Sequence, residues 1–170
     1  PANLRAAESL ISADLLVNGK KIRIYTTHLQ SVLFQKNDYR SLEIIKSADD
    51  SMVMASRSII KKLRLGYAFR GFQADLVRKK LDSCPYPEVI CGDFNDVPNS
   101  YTYFTIKGNR QDVFVSKGKG IGRSFTAISP TLRIDYILAD KKFDVLQYNR
   151  SLVPWSDHYP VVADIKLKED

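Results

Sequence analysis

Val89, Ile90 and Cys91 run directly into Gly92-Asp93-Phe94-Asn95. A short, continuous apolar run of this kind is a strand covered on both faces, so layers must pack on either side of it. The strand then ends in a carboxylate. A carboxylate at the end of a core strand costs free energy unless a metal, a proton donor or several amide hydrogens receive it. The chain is therefore expected to fold in layers and to bring something positive to Asp93.

The flanking sequence supplies such layers. Lys21 to His28 alternates apolar and polar residues and is rich in β-branched side chains, and Asn18-Gly19 is a hairpin signal between it and a strand at Asp14 to Val17. From Asp49 to Ser83, Met52, Ala55, Ile59, Leu63, Leu76, Val77 and Leu81 recur at helical spacing, which predicts an amphipathic helix bent near Gly66 or Gly71. Pro85 and Pro87 mark its end. A short helix is expected over Ser100 to Ile106, and strands over Gln111 to Val115, Arg133 to Ala139, Phe143 to Tyr148 and Tyr159 to Leu167. Helices and strands mixed without a repeat argue for an α/β or α+β domain.

With 170 residues and 44% hydrophobic composition the chain can bury one sizeable core, and residues 1–170 are read as a single domain. The 26 basic against 19 acidic residues give +7, which favours anionic partners: nucleic acid, phospholipid headgroups or phosphorylated small molecules. Cys84 and Cys91 are the two cysteines, without zinc spacing, and Cys91 reads as a small core residue. No apolar run is long enough to span a bilayer, and no signal peptide is visible. A soluble, monomeric domain is expected, with its compartment open, the cytoplasm included. The chain starts at Pro1, and its first sixteen residues read as the middle of a longer element, with any anchor lying upstream.

Four stretches carry polar residues where a purely structural sequence would be apolar: Thr26-Thr27-His28-Leu29, Gly92-Asp93-Phe94-Asn95, Arg133-Ile134-Asp135-Tyr136 and Ser156-Asp157-His158-Tyr159-Pro160. Two residues apart in extended backbone, Asp93 and Asn95 would point to one side and present oxygen ligands of the kind Mg²⁺ takes. An Asx turn leading into Pro98 and Asn99 explains the same residues without a ligand. Asp135, mid-strand between Ile134 and Tyr136, needs a partner, and a histidine is the natural one. Held by that carboxylate, His158 would have a fixed tautomer and could take a proton from water near neutral pH. His28 and His158 are the two histidines, and both fall at strand ends within these stretches. His28 could contact a phosphate oxygen or protonate a leaving group.

Other signals point away from alternatives. Gly118, Gly120 and Gly122 fit neither a Walker loop nor a dinucleotide fingerprint, so Lys117 to Arg123 reads as a flexible basic connector from which Lys117, Lys119 and Arg123 could touch phosphate. The helix bases Arg57, Lys61, Lys62, Arg64, Arg78, Lys79 and Lys80 read as a solvated face. Without a Gly-x-Ser-x-Gly elbow, Ser156, Asp157 and His158 make a poor serine hydrolase.

In this order the four stretches resemble the endonuclease/exonuclease/phosphatase superfamily of metal-dependent phosphoesterases. The match runs from about Asn3 to Leu167, and Arg70 and Gln73 resemble the family's helix ahead of the Gly-Asp-Phe-Asn strand. The resemblance implies a DNase-like, four-layer α/β sandwich of two packed, mostly antiparallel sheets with its site at strand ends. It implies Asp93 and Asn95 against the attacked phosphate, the nucleophilic water and a metal, Asp157 as a Mg²⁺ ligand, Asp135 orienting His158, and His28 near the scissile phosphate. Mg²⁺, or Mn²⁺ in its place, is the implied cofactor. Family members also carry an asparagine and a metal-ligating glutamate on early strands, and Asn3 and Glu8 lie in the wrong context for these. The chain is thus expected to lack those N-terminal strands, to bind Mg²⁺ weakly and to be nearly inactive alone.

The function expected is hydrolysis of a phosphodiester, nuclease-like, with Asn95, His28 and Arg123 on the substrate. A phospholipid, phosphoinositide or other small phosphoester hydrolase, and a non-catalytic anion-binding module on the same fold, stay open. Tyr101, Tyr103, Phe104, Phe125 and Trp155 are candidates for base stacking or for the core.

Overall fold

A computed structural model describes residues 10–32, 52–126 and 131–169, with side chains in the first helix from residue 57 onward. β1 (Leu10–Val17) and β2 (Lys20–His28) form the expected hairpin, paired from Leu10↔Thr27 to Val17↔Lys20. Asn18 and Gly19 both take positive φ, +50° and +77°. That is the geometry a two-residue hairpin needs to match the twist of its strands.

Helix α1 (Met52–Asp82) follows and ends shortly before Pro85. Its buried stripe is Ile59, Arg70, Ala74, Val77 and Leu81. Leu76, expected in the core, is 48% exposed. Strand β3 (Glu88–Asp93) then enters between β2, to which it runs parallel, and β5 (Asp135–Ala139), antiparallel. With the short β4 (Gln111–Asp112) the sheet order is β1-β2-β3-β5-β4. β6 (Phe143–Arg150) and β7 (Val161–Leu167) form a second, antiparallel sheet.

Each face of β3 is covered, as its apolar run requires. Ile90 belongs to a cluster with Tyr25, Ala74, Val77, Leu81 and Tyr136 on the helical side. Val89 packs with Ile22, Val113, Ala139, Phe143 and Val145 toward the second sheet. The mixed α/β architecture with two facing sheets agrees with the expectation from sequence. Among the described residues no helix is long and apolar enough to cross a membrane.

The expected strand over Gln111 to Val115 is a correction. Strand pairing stops at Asp112, and Val113–Lys117 is a short helix, α3. The Asp112 carboxylate caps it, accepting from Phe114 N (2.9 Å) and Val115 N (3.3 Å). Capping two otherwise unpaired N–H groups, with Val113 fully buried, overrides the β preference of Val-Phe-Val. Helix α2 (Tyr101–Lys107) lies where expected, capped by the Ser100 hydroxyl.

Three buried arginine–carboxylate pairs tie the layers together: Arg70 with Asp96, Arg110 with Glu88, and Arg133 with Asp112. The first bears on the site. Arg70, 1% exposed, donates to Asp96 Oδ2 (3.1 Å) and to the Gln30 carbonyl (3.0 Å). It thereby clamps the loops that follow His28 and Asn95 to the same helix.

Candidate active site

Strand register brings the site together. His28, the last residue of β2, is paired with Asp93, the last of β3, and Asp93 is paired with Asp135, the first of β5. Side chains at paired positions stand on one face, so the three form a row across the sheet. Asp135 opens its strand rather than sitting mid-strand, which leaves its carboxylate at the sheet's end. Gly92 makes the approach of β2 and β3 possible. Its φ is +143°, and a Cβ there would fall 1.9 Å from the Thr27 carbonyl oxygen.

The fourth stretch delivers His158 onto this row. Its Nδ1 lies 3.0 Å from Asp135 Oδ2 and 3.3 Å from Oδ1, and its Nε2 lies 3.9 Å from Asp93 Oδ2. On the other side, His28 Nε2 is 3.6 Å from the same Asp93 oxygen. A carboxylate beside Nδ1 takes its N–H, which leaves the Nε2 lone pair facing Asp93. Two acceptors 3.9 Å apart do not bond directly, but a water can donate to both.

Asp93 is the most perturbed group of the cluster. Burial and the neighbouring Asp135 charge push its pKa up to about 6, against the opposing pull of the Asn95 backbone N–H and the two histidines. A partly buried carboxylate next to another is a place where a cation lowers the energy. Asp93, Asp135 and His158 each offer one ligand atom, all within 4.8 Å of one another. The two carboxylates are the hard oxygen donors that Mg²⁺ takes, so the residues present fit such an ion.

The extended reading of Asp93 and Asn95 needs correcting. Asn95 has φ +52°, and Asp93 Oδ1 accepts from Asn95 N (2.7 Å) in an Asx turn. The Asn95 amide donates to Asp93 Oδ2 and to the Leu29 carbonyl, both at 3.0 Å. Turn and site coincide here, because the turn's own hydrogen bonds fix the Asp93 carboxylate. Asp157 stands outside the three-residue cluster with an exposed side chain, while its carbonyl accepts from Thr126 N and Oγ1. Arg123 gives its guanidinium hydrogens to the Phe125 and Thr126 carbonyls of its own loop.

Sequence reasoning missed Ser124. Fully buried, its hydroxyl accepts from Ile134 N (3.0 Å) and Asp135 N (3.1 Å), and its carbonyl accepts from Tyr159 N (2.7 Å). One residue thus holds the backbones on both sides of the Asp135–His158 contact. A lone serine in a loop gives no sign of this. Phe125, next to it, packs its ring 4.8 Å from the His158 imidazole. Tyr103 is buried and donates to Asp112, Tyr101 is exposed and donates to Asp75, and Phe104 and Trp155 are exposed.

The sequence of residues 32–158 matches the family model described as the Endonuclease/Exonuclease/phosphatase family. The chain belongs to this family. Among solved structures it is similar to an endonuclease/exonuclease/phosphatase from Bacteroides vulgatus (22% identity, TM-score 0.67), aligning over 95% of this chain and 56% of that one. It is also similar to the human nocturnin catalytic domain (17%, TM-score 0.58; 95% and 53%) and to a humanized D. rerio TDP2 (16%, TM-score 0.59; 94% and 60%). At these identities the likeness concerns the fold. The chain spans between half and three-fifths of the length of these structures. Among curated proteins none matches it significantly. Family members are phosphoesterase hydrolases, generally dependent on divalent metal.

Proposed function

We propose that this chain carries the base and part of the metal site of a Mg²⁺-dependent phosphodiesterase, nuclease-like in its substrate. The observation that carries the reading is His158, held at Nδ1 by Asp135 while Nε2 faces Asp93 across 3.9 Å. A water between these two acceptors would donate to both and turn its lone pairs outward, toward an incoming phosphorus. His158 takes the proton as that water attacks, and the Asp135 carboxylate stabilises the imidazolium that forms. Asp93, with its hydrogen bonds from Asn95, orients the water. His28, more exposed and on the far side of Asp93, is placed to donate to a phosphate oxygen or to the departing alkoxide.

When bound, the divalent ion supplies charge neutralisation at the phosphate. Asp93 would hold it, Asp157 would reach it from the loop ahead of His158, and Asn95 contributes by fixing Asp93. Arg123 would meet substrate only after releasing the carbonyls it now serves. The net charge of +7 supports a polyanionic substrate over a small phosphoester.

Supercoiled plasmid incubated with the natural protein in Mg²⁺ and in EDTA tests this. Nicking that requires the metal supports the nuclease reading. Intact plasmid beside hydrolysed phospholipid or inositol phosphate would replace the substrate and keep the chemistry. A protein that binds phosphate but turns over no ester would replace both with an anion-binding role.

A further inference from the structure

The pole of the fold opposite the reaction centre gathers charge from both sheets. β2 begins there at Lys20, β5 ends there at Ala139, β6 begins there at Phe143 and β7 ends there at Leu167. At about 3.3 Å per residue of strand, Lys21 lies about 23 Å from His28 at the other end of β2. Five exposed lysines, Lys20, Lys21, Lys141, Lys142 and Lys168, line a depression of about 810 Å³ at this pole, with Tyr86 in its wall. Asp140 is the one carboxylate among the described lining residues, and its Oδ1 already accepts from Lys142 N (2.9 Å). Lys168 Nζ lies 3.6 Å from Asp144 Oδ1 and donates to the Lys141 carbonyl (2.8 Å).

Beside the lysines, the tip of the β1–β2 hairpin is apolar where a solvated turn would be polar. Leu16 is 75% exposed, and Leu15 and Val17 are exposed with it. Register pairs Leu16 with Lys21 and Val17 with Lys20. Adjacent side chains of a strand point to opposite faces, so Leu16 stands on one side of the hairpin and Leu15 and Val17 on the other. The tip is thus an apolar prong set at the rim of a basic depression.

We propose that this pole docks on an anionic lipid surface, the prong entering the headgroup boundary while the lysines meet lipid phosphates. Apolar residues flanked by lysines are the composition that binds such an interface, because hydrocarbon and negative charge are offered together. About four to eight basic residues at one place suffice to hold a protein to anionic headgroups. Nucleic acid would satisfy the lysines but leave Leu15, Leu16 and Val17 against water. It would also find no ready base platform at Tyr86, since Lys21 Nζ and the Arg23 guanidinium already lie 5.1 Å and 5.4 Å from the ring centroid.

Docked in this way, the protein turns His28, Asp93 and His158 away from the bilayer. The surface would position the enzyme and concentrate it, while lipids of that bilayer stay out of reach of the reaction centre. The docking pole is independent of the chemistry proposed for the other end, and its binding is measurable without turnover.

The test is co-sedimentation of the natural protein with phosphatidylcholine vesicles, with and without about one-third phosphatidylserine, in EDTA at about 0.1 M salt. Binding is expected to require phosphatidylserine. Lys141→Gln/Lys142→Gln, at an exposed turn, should weaken it about 25-fold, at about fivefold per lysine. Leu16→Ser, with charge unchanged, should weaken it about tenfold. Lys117→Gln/Lys119→Gln removes equal charge from the loop leading to Ser124, whose hydroxyl meets Asp135 N beside the reaction centre, and should cost less than about threefold. Thermal unfolding establishes that each variant is folded. Equal losses in the two lysine pairs would show diffuse attraction and overturn the proposal, as would no loss at Lys141 and Lys142. An unaffected Leu16→Ser would remove the prong and overturn docking in favour of a plain polyanion site. Duplex DNA that binds through Lys141 and Lys142 when the vesicles do not would replace the lipid with nucleic acid. Cleavage of phosphatidylserine by the vesicle-bound protein would overturn the orientation, since the reaction centre would then face the bilayer.

Discussion

Asp135 Oδ2 lies 3.0 Å from His158 Nδ1, and the two residues reach that contact from different parts of the fold, one opening β5 and one in the loop ahead of β7. Ser124 spans them, with its hydroxyl on the Asp135 backbone and its carbonyl on the Tyr159 N–H. The base proposed above, oriented by a partly buried carboxylate, should fail in a specific way when that carboxylate is neutralised.

Asp135→Asn keeps the shape and removes the charge. The amide can present its N–H to Nδ1 and so favour the wrong tautomer, with the proton moved to Nε2. Turnover should fall by about 10² to 10⁴ with little change in KM. Nitrogen-15 shifts of the His158 ring should report the exchanged tautomer. An unchanged ring spectrum with normal turnover would detach Asp135 from the base.

Asp93 supplies a prediction about stability. In metal-free protein its native pKa of about 6 stands above the ordinary 3.8, so the folded state holds a proton that the unfolded chain has already released. Its contribution is present below pH 3.8 and is lost as pH rises through about 6. Asp93→Asn should therefore stabilise the protein near neutral pH by about 1–3 kcal/mol, less whatever the Asn95 hydrogen bonds lose, and should flatten the decline over that window. Urea unfolding in EDTA at a series of pH values measures both. A decline in stability over that pH window that persists unchanged in the variant would contradict the raised pKa.

At Gly92 a methyl group would meet the Thr27 carbonyl at 1.9 Å in a backbone conformation that side chains avoid. Gly92→Ala should cost about 3 kcal/mol or more, because strands β2 and β3 must part at the site. Thermal unfolding checks the magnitude. A loss below about 1 kcal/mol would mean that the strand ends can separate freely.

Arg70→Met removes the buried partner of Asp96 while keeping a long side chain. An unpaired carboxylate that is 4% exposed should cost about 3–5 kcal/mol, and adding Asp96→Asn should recover part of it. Denaturant midpoints of the single and double variants measure the coupling. Additive effects would show that the pair does not act as a unit.

Much of this fold is written locally. Asn18-Gly19 encodes its own turn, and the Val89-Ile90-Cys91 run encodes a strand covered on both faces. The pairing of Asp135 with His158 followed from asking what a carboxylate beside Ile134 and Tyr136 could bond. What stayed illegible is either non-local or a competition between two local preferences. Asp112 decides the fate of Val113 to Val115 by capping, which β propensity alone does not reveal. Asn95 makes an Asx turn whose hydrogen bonds fix the Asp93 carboxylate, so the turn and the polar cluster are one feature. The clamp from Arg70 to Asp96 and Gln30, and the double role of Ser124, depend on which loops meet in space. An arginine on a basic helix and a serine in a loop carry no trace of that.

Single-turnover nicking of plasmid by His158→Ala in saturating Mg²⁺ asks whether His158 removes a proton from the attacking water. The variant's rate should be lower than that of the unmodified protein by about 10² or more, with plasmid and Mg²⁺ still bound. A loss of less than about tenfold, in a variant that folds and binds normally, would contradict the assignment and require a different base.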